Sequence, residues 1–131
     1  MGYKILVVDD DRAILELVAD QLEREGFDIM TAVDGDDALN KMKTDLPDIV
    51  LLDLIMPKLN GFEVLREIRK SYQEKWIPVI ILSGQEDLAS VQKSYALEAD
   101  HYLTKPCDTQ HILQGIQTMI SLMKARKSKT E

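Results

Sequence analysis

Short runs of β-branched and aliphatic residues alternate along this chain with longer segments in which apolar positions recur every three or four residues. The pattern predicts five βα units around a parallel sheet covered on both faces, because strands buried on both sides read as continuous apolar runs. The predicted strands are Tyr3 to Val8, Phe27 to Ala32, Asp48 to Leu52, Ile77 to Leu82 and Asp100 to Leu103. The second is the least hydrophobic, as suits an edge. The first helix carries Ile14, Val18 and Leu22 at four-residue spacing and is expected to stop at Gly26. Three more helices follow: Ala38, Leu39 and Met42 after Asp34-Gly35, then Phe62, Leu65 and Ile68 after Asn60-Gly61, then a thinner stripe of Leu88, Val91 and Tyr95. The last places Ile112, Ile116, Met119, Ile120 and Met123 on one stripe behind an N-cap at Asp108 or Thr109, and is expected to fray from Lys124 onward.

With 131 residues, no repeat and no linker-like stretch, one domain over residues 1–123 is expected, with 124–131 a polar basic tail or the start of a linker. Sixteen Lys and Arg against twenty-three Asp and Glu leave a charge of -7, which disfavours direct nucleic-acid binding. The single cysteine, Cys107, excludes an internal disulfide and a multi-cysteine zinc site. No apolar run approaches the roughly 20 residues that span a bilayer, so a cytoplasmic protein with no membrane contact is expected.

Ligands of a parallel α/β sheet bind outside the carboxyl ends of its strands. Here the first strand ends in Asp9, Asp10 and Asp11, the third in Asp53 and the fourth in Ser83-Gly84, while the fifth runs through Thr104 into Lys105-Pro106. Taken singly, each Asp or Ser there reads as a helix N-cap and Lys105 as a solvated charge. Taken together they do not, since capping gives no reason for the lysine. Asp9, Asp10 and Asp53 brought together would repel, raising at least one pKa unless a cation compensates. Oxygen donors without a His or Cys cluster suit Mg²⁺, with Mn²⁺ able to substitute. A cation and Lys105 beside an ionised Asp53 form a receptacle for a phosphoryl group, with the carboxylate as nucleophile. The chemistry indicated is aspartyl phosphate formation.

The segments LVVDDD, IVLLDLIMPKLNGFEVL, VIILSG and DHYLTKP, in this order and spacing, resemble the receiver domain of two-component response regulators over about residues 3 to 123. The resemblance implies a flavodoxin-like (βα)5 doubly wound parallel sheet of strand order 2-1-3-4-5. Position by position it implies Asp53 as phosphoacceptor and Asp9 and Asp10 as the acidic pair, with Asp10 the direct Mg²⁺ ligand and Asp9 acting through water. It further implies the backbone carbonyl of Ile55 as a metal ligand, Lys105 as the phosphate-binding cation, Ser83 as the hydroxyl that moves onto the phosphoryl group and Tyr102 as the switch aromatic. Met56-Pro57 and Asn60-Gly61 match the loop after the phosphoacceptor, and Lys105-Pro106 matches a peptide bond that is usually cis.

The implied function is a phosphorylation-dependent signalling switch. A sensor histidine kinase or histidine phosphotransfer protein would supply the phosphoryl group, and the face formed by the fourth helix, fifth strand and fifth helix, about Asp87 to Met123, would control a downstream protein or an output domain. A monomer or a phosphorylation-promoted dimer is implied. The protein is expected to be no enzyme beyond assisting its own phosphorylation and autodephosphorylation. An aspartyl-phosphate hydrolase would open its site with Asp-x-Asp, which Asp9-Asp10-Asp11-Arg12 fits poorly, and the acidic first loop would repel a flavin phosphate. A phosphorylation-independent interaction module on the same fold stays open as the alternative.

Several positions depart from the family pattern. Glu98 stands where many relatives have Gly, so either the fourth helix ends without a left-handed residue or a non-glycine one bears a cost of about 1 to 2 kcal/mol. Cys107 replaces a frequent aromatic and is expected to be a buried, inert thiol. Ile55 and Gln85 would flank the path of a hydrolytic water. His101 and His111 are expected at the surface, and Trp76 at the sheet's opposite end, roughly 20 Å from Ser83 at about 3.3 Å per residue.

Overall fold

A computed structural model describes residues 2–56, 59–84 and 87–130, with side chains through Lys127. Its strands are β1 (Lys4–Val8), β2 (Asp28–Ala32), β3 (Ile49–Leu52), β4 (Val79–Ser83) and β5 (His101–Thr104). Its helices are α1 (Arg12–Arg24), α2 (Gly35–Thr44), α3 (Gly61–Ser71), α4 (Leu88–Ala96) and α5 (Thr109–Thr130), one after each strand. The strands pair in parallel in the order β2-β1-β3-β4-β5, so the flavodoxin-like, doubly wound sheet expected from the sequence is the observed fold.

Alternation along the three central strands builds two cores. Leu6, Val8, Val50, Leu52, Val79 and Ile81 face one side, where Ala38 and Met42 of α2 and Val64, Leu65 and Ile68 of α3 cover them. Ile5, Val7, Ile49, Leu51, Ile80 and Leu82 face the other, under Leu15, Val18 and Leu22 of α1 and Ile112, Leu113, Ile116 and Met119 of α5. Both sets are buried, which is why these strands carry no polar position before their ends. β2 and β5 are the edges and are only half-buried for most of their length.

Strand starts shift by one or two residues from the predicted ones for a local reason. Asp48 accepts a hydrogen bond from the Lys4 amide and Asp100 one from the Val79 amide, each at 2.8 Å, so these carboxylates close strand starts from outside the ladder. Pro78 lacks an N–H to donate, and β4 begins after it, at Val79. α1 buries Leu15, Val18, Ala19 and Leu22, with Ile14 only half-buried. The stripe expected on α4 is not buried: Leu88 is 69% and Tyr95 46% exposed, and Ser94 is the helix's one buried residue. α5 does not fray at Lys124 but continues as helix through Thr130.

Two helices end in the same way with different residues. After α1, the Gly26 amide donates to the Glu23 carbonyl and the Phe27 amide to that of Leu22, with Gly26 at φ +95°. After α4, the Glu98 amide donates to the Tyr95 carbonyl and the Ala99 amide to that of Ser94, with Glu98 at φ +69°. Both are Schellman turns of six residues, Leu22 to Phe27 and Ser94 to Ala99, whose fifth residue is left-handed. Of the two alternatives for Glu98, the left-handed non-glycine residue is the one observed.

Candidate functional site

The polar strand ends meet at one edge of the sheet. β1 delivers Asp9, whose amide donates to the Ala32 carbonyl at 3.1 Å, and β3 delivers Asp53, whose amide donates to the Val8 carbonyl at 3.1 Å. The ladder thus carries the two carboxylates side by side into the mouth between α1 and α3. Both are buried, Asp9 to 4% and Asp53 to 7% exposure, while Asp10 is exposed. Each of the three offers a carboxylate oxygen within 4.8 Å of the others'. Asp11 does not join them, because its side chain caps α1, accepting from the Ala13 and Ile14 amides at 3.0 and 3.3 Å.

Lys105 closes the cluster from the far side. Its Nζ donates to Asp9 Oδ2 at 2.5 Å and to Asp53 Oδ2 at 3.2 Å. Its amide donates to the Ser83 carbonyl at 2.8 Å, and the Lys105-Pro106 peptide bond is cis, as expected. Asp53 Oδ1 accepts from the Ile55 amide at 3.3 Å, and Asp9 Oδ1 from the Asp11 amide at 2.9 Å. Ser83 is fully buried, and its side chain is hydrogen bonded with that of Tyr102, which is half-buried against the α2/α3 core.

The electrostatics follow from this crowding. Burial pushes the Asp53 carboxyl up, and the Asp9 charge adds to that, so that the attraction of Lys105 only partly compensates. Burial works against the Lys105 charge too, but its hydrogen bond to Asp9 and the charges of Asp53 and Asp9 outweigh burial and leave its pKa raised. Three carboxylates against one ammonium leave an excess of negative charge, and the donors are all oxygen. That set fits a hard divalent cation such as Mg²⁺. Burial also raises the Tyr102 phenol, against the Ser83 hydrogen bond.

The loop after β3 lies against the site through Gly61. Its amide donates to the Leu54 carbonyl at 2.8 Å, and a Cβ there would sit 2.3 Å from the Asp53 carbonyl oxygen. Asn60 caps α3, accepting from the Glu63 amide at 3.1 Å. From the sequence, Asn60-Gly61 is legible as a turn, but the packing of Gly61 on the Asp53 backbone is not. Of the same loop, Met56 is buried and Ile55 is 55% exposed, whereas Pro57, and Gln85 after β4, lie outside the described residues.

The remaining sequence candidates fall elsewhere. Cys107 is half-buried, with burial and Asp108 raising its thiol pKa, which makes it a poor nucleophile. His111 is exposed and bonded to Asp108, the N-cap of α5. His101 is not at the open surface but half-buried in β5, beside Gly115. Trp76 precedes β4 at the opposite end of the sheet from Ser83, bonded to Asp100. Arg69, which nothing in the sequence singles out, binds the Glu98 and Ile77 carbonyls and Asp100.

This fold with this constellation is that of a receiver domain. The chain belongs to the response regulator receiver domain family, which matches residues 5–117. Among particular proteins it is 37% identical over 120 residues to the alkaline phosphatase synthesis transcriptional regulatory protein PhoP of Bacillus subtilis, a match covering 92% of this chain and 49% of that one. The chain thus spans about half the length of that relative. A CheY-like response regulator receiver domain protein from Methanospirillum hungatei superposes with a TM-score of 0.90 at 27% identity, over 96% of this chain and 99% of that one. The BeF3-activated receiver domain of DrrB, from Thermotoga maritima, does so at 0.82 and 34% identity, over 92% and 99%. The chain is therefore a receiver domain of the two-component type, a signalling domain. Among its described residues no helix is long and apolar enough to cross a membrane.

Proposed function

We propose that this domain is a phosphorylation-dependent switch in which Asp53 accepts a phosphoryl group from a phosphohistidine on a sensor kinase or phosphotransfer protein. The observation that carries this reading is the meeting of Asp9, Asp10 and Asp53 within 4.8 Å, with Lys105 bonded to both buried members. Asp10, Asp53 and the Ile55 backbone carbonyl would hold Mg²⁺, with Asp9 acting through water. Bound there, Mg²⁺ would neutralise charge on the phosphoryl oxygens and relieve the repulsion among the carboxylates.

The chain's own residues do the rest. A carboxylate oxygen of Asp53 attacks phosphorus, forming an O–P bond as the P–N bond breaks. The bonding pair leaves on the imidazole nitrogen, which takes a proton from solvent. Lys105, already beside Asp53, turns to the phosphoryl oxygens and supplies a fixed positive charge where negative charge gathers. The Ser83 hydroxyl leaves Tyr102 and donates to the phosphoryl group, and Tyr102 repositions with it. The readout is the α4–β5–α5 face, consistent with the exposure of Leu88 and Tyr95, and its receivers are a downstream protein or output domain. PhoP, a transcriptional regulatory protein twice the matched length, illustrates the second arrangement.

Intact mass after incubation with acetyl phosphate tests this. A gain of one phosphoryl group that requires Mg²⁺ and disappears in Asp53→Asn is expected. No adduct under a fast quench, together with no beryllofluoride binding, would leave instead a phosphorylation-independent interaction module.

A further inference from the structure

We propose that Gly35, the first residue of α2, is a positioning residue for the phosphoryl site: it seats the loop after β3 and, through that loop, the backbone of Asp53. Gly35 is buried, and a Cβ there would lie 2.7 Å from Val64 Cγ2, 2.8 Å from the Leu59 carbonyl oxygen and 2.9 Å from Leu59 Cβ. Carbon atoms in ordinary contact sit about 3.5 to 4.0 Å apart, so a side chain at this position forces something to move. The φ of Gly35 is not left-handed, so glycine serves here for space and not for backbone freedom. In a helical turn it is otherwise a poor residue. The close approach of α2 to Leu59 is what it provides.

The two sides of this contact differ in how firmly they are held. In the turn before α2, Asp34 Oδ1 accepts from the Asp37 amide at 2.8 Å, Asp37 Oδ2 from the Val33 amide at 3.1 Å, and the Ala32 carbonyl from the Asp9 amide at 3.1 Å. The start of α2 is thereby fixed to the end of β1, beside the carboxylates. Leu59 is half-buried and belongs to no strand or helix. It lies two residues before Gly61, whose amide donates to the Leu54 carbonyl at 2.8 Å and whose missing Cβ leaves room for the Asp53 carbonyl. A group added at Gly35 therefore displaces Leu59 and not α2, and Gly61 passes the displacement to Asp53 and Leu54.

Asp53 and its neighbour Ile55 tolerate little displacement. Loss of a contact that supports a metal ligand costs about 10- to 100-fold in metal affinity, and a misplacement of about 1 Å costs about 100-fold in rate. Gly35 touches neither the nucleophile nor the proposed ligands, so its effect on them passes through Leu59 and Gly61. The consequence for Mg²⁺ and for phosphoryl transfer rests on the function proposed above, whereas the seating of the loop does not.

The test uses the full chain with Gly35→Ala, and Gly26→Ala as a control that strains the backbone at the other end of β2. Mg²⁺ affinity is measured by calorimetry, adduct formation by intact mass with acetyl phosphate at saturating Mg²⁺, and amide exchange at Ile55 and Gly61 in EDTA, relative to the amides of β1. Expected in Gly35→Ala are a Mg²⁺ affinity about tenfold lower, slower adduct formation and faster relative exchange at both amides, with none of these in Gly26→Ala. Adding Val64→Ala to Gly35→Ala removes the overlap with a side chain and leaves the overlap with the Leu59 backbone. Compared with Val64→Ala alone, this double variant is expected to fold and still to bind Mg²⁺ weakly, and it carries the test if Gly35→Ala does not fold. Wild-type Mg²⁺ affinity in Gly35→Ala overturns the inference. Full recovery of affinity in the double variant also does, because Gly35 would then only pack α2 on α3, and so does a double variant that cannot fold, because the loop would then not be the part that yields. If the wild type takes up neither Mg²⁺ nor a phosphoryl group, the phosphoryl reading falls, and relative exchange at Ile55 and Gly61 still decides the seating: values equal to those of Gly26→Ala would sink it.

Discussion

Glu98→Gly should make this protein more stable. Glu98 holds φ +69° at the end of α4, in the conformation that Gly26 holds at φ +95° at the end of α1. For a residue with a Cβ this costs about 1 to 2 kcal/mol, and glycine in its place loses about 0.5 to 1 kcal/mol through its freer unfolded chain. The net gain is about 0.5 to 1 kcal/mol. Little else changes, because the Glu98 side chain is exposed and the contacts of Arg69 are to its carbonyl, which glycine keeps. An unfolding entropy of about 2.1 cal/mol/K per residue is about 0.28 kcal/mol/K for this chain, so the gain is about 2 to 4 °C in Tm. Gly26→Ala is the mirror experiment: nothing lies within 4 Å of its added Cβ, so a loss of about 1 kcal/mol would come from the backbone alone. Thermal and urea unfolding of both variants measure the pair. A Glu98→Gly variant that is no more stable, beside a Gly26→Ala variant that loses stability, would refute the assignment of net strain to Glu98.

Three more outcomes are expected. Because the Asp53 pKa is raised on folding, its ionised form costs stability, a penalty absent well below pH 3.8 and fully present above its folded pKa. Asp53→Asn should therefore raise Tm at pH 7 in EDTA and lose that advantage in strong acid, while Mg²⁺ at ten times its Kd should stabilise the wild type by about 1.4 kcal/mol; equal Tm values at pH 7 in EDTA would contradict this. Gly61→Ala should cost about 3 kcal/mol or more by urea unfolding, since a Cβ 2.3 Å from the Asp53 carbonyl oxygen forces the backbone apart, and a near-wild-type midpoint would show that the loop yields freely. Arg69→Met should cost about 2 to 4 kcal/mol, because it leaves the little-exposed Asp100 carboxylate without its partner and frees two carbonyls, and a loss under 1 kcal/mol would mean that water replaces the guanidinium.

The site was legible because its chemistry is concentrated at strand ends. Asp9, Asp10, Asp53, Ser83 and Lys105 each follow an apolar run, and a parallel sheet brings such positions to one edge whatever the details of its packing. The α4 stripe was misleading for the opposite reason. Leu88, Val91 and Tyr95 have helical spacing, but spacing does not say whether a stripe faces the core or the solvent, and here Ser94 takes the inner position. The end of α5 was misplaced because polar residues after Met123 mark the end of apolar burial, not the end of the helix, which Arg126 on Trp76 helps to hold.

Sequence by itself determined the strand count, the two-sided burial of β1, β3 and β4, and the residues at their carboxyl ends, because each depends on the order of apolar and polar positions within a few residues. Tertiary structure decided the contacts between residues far apart in the chain. It set Lys105 on Asp9 and Asp53, Gly61 on the Asp53 carbonyl, and Arg69 between Asp100 and Glu98. Such contacts carry no periodic signal, since they join side chains to backbone groups whose positions exist only once the sheet and its helices have packed.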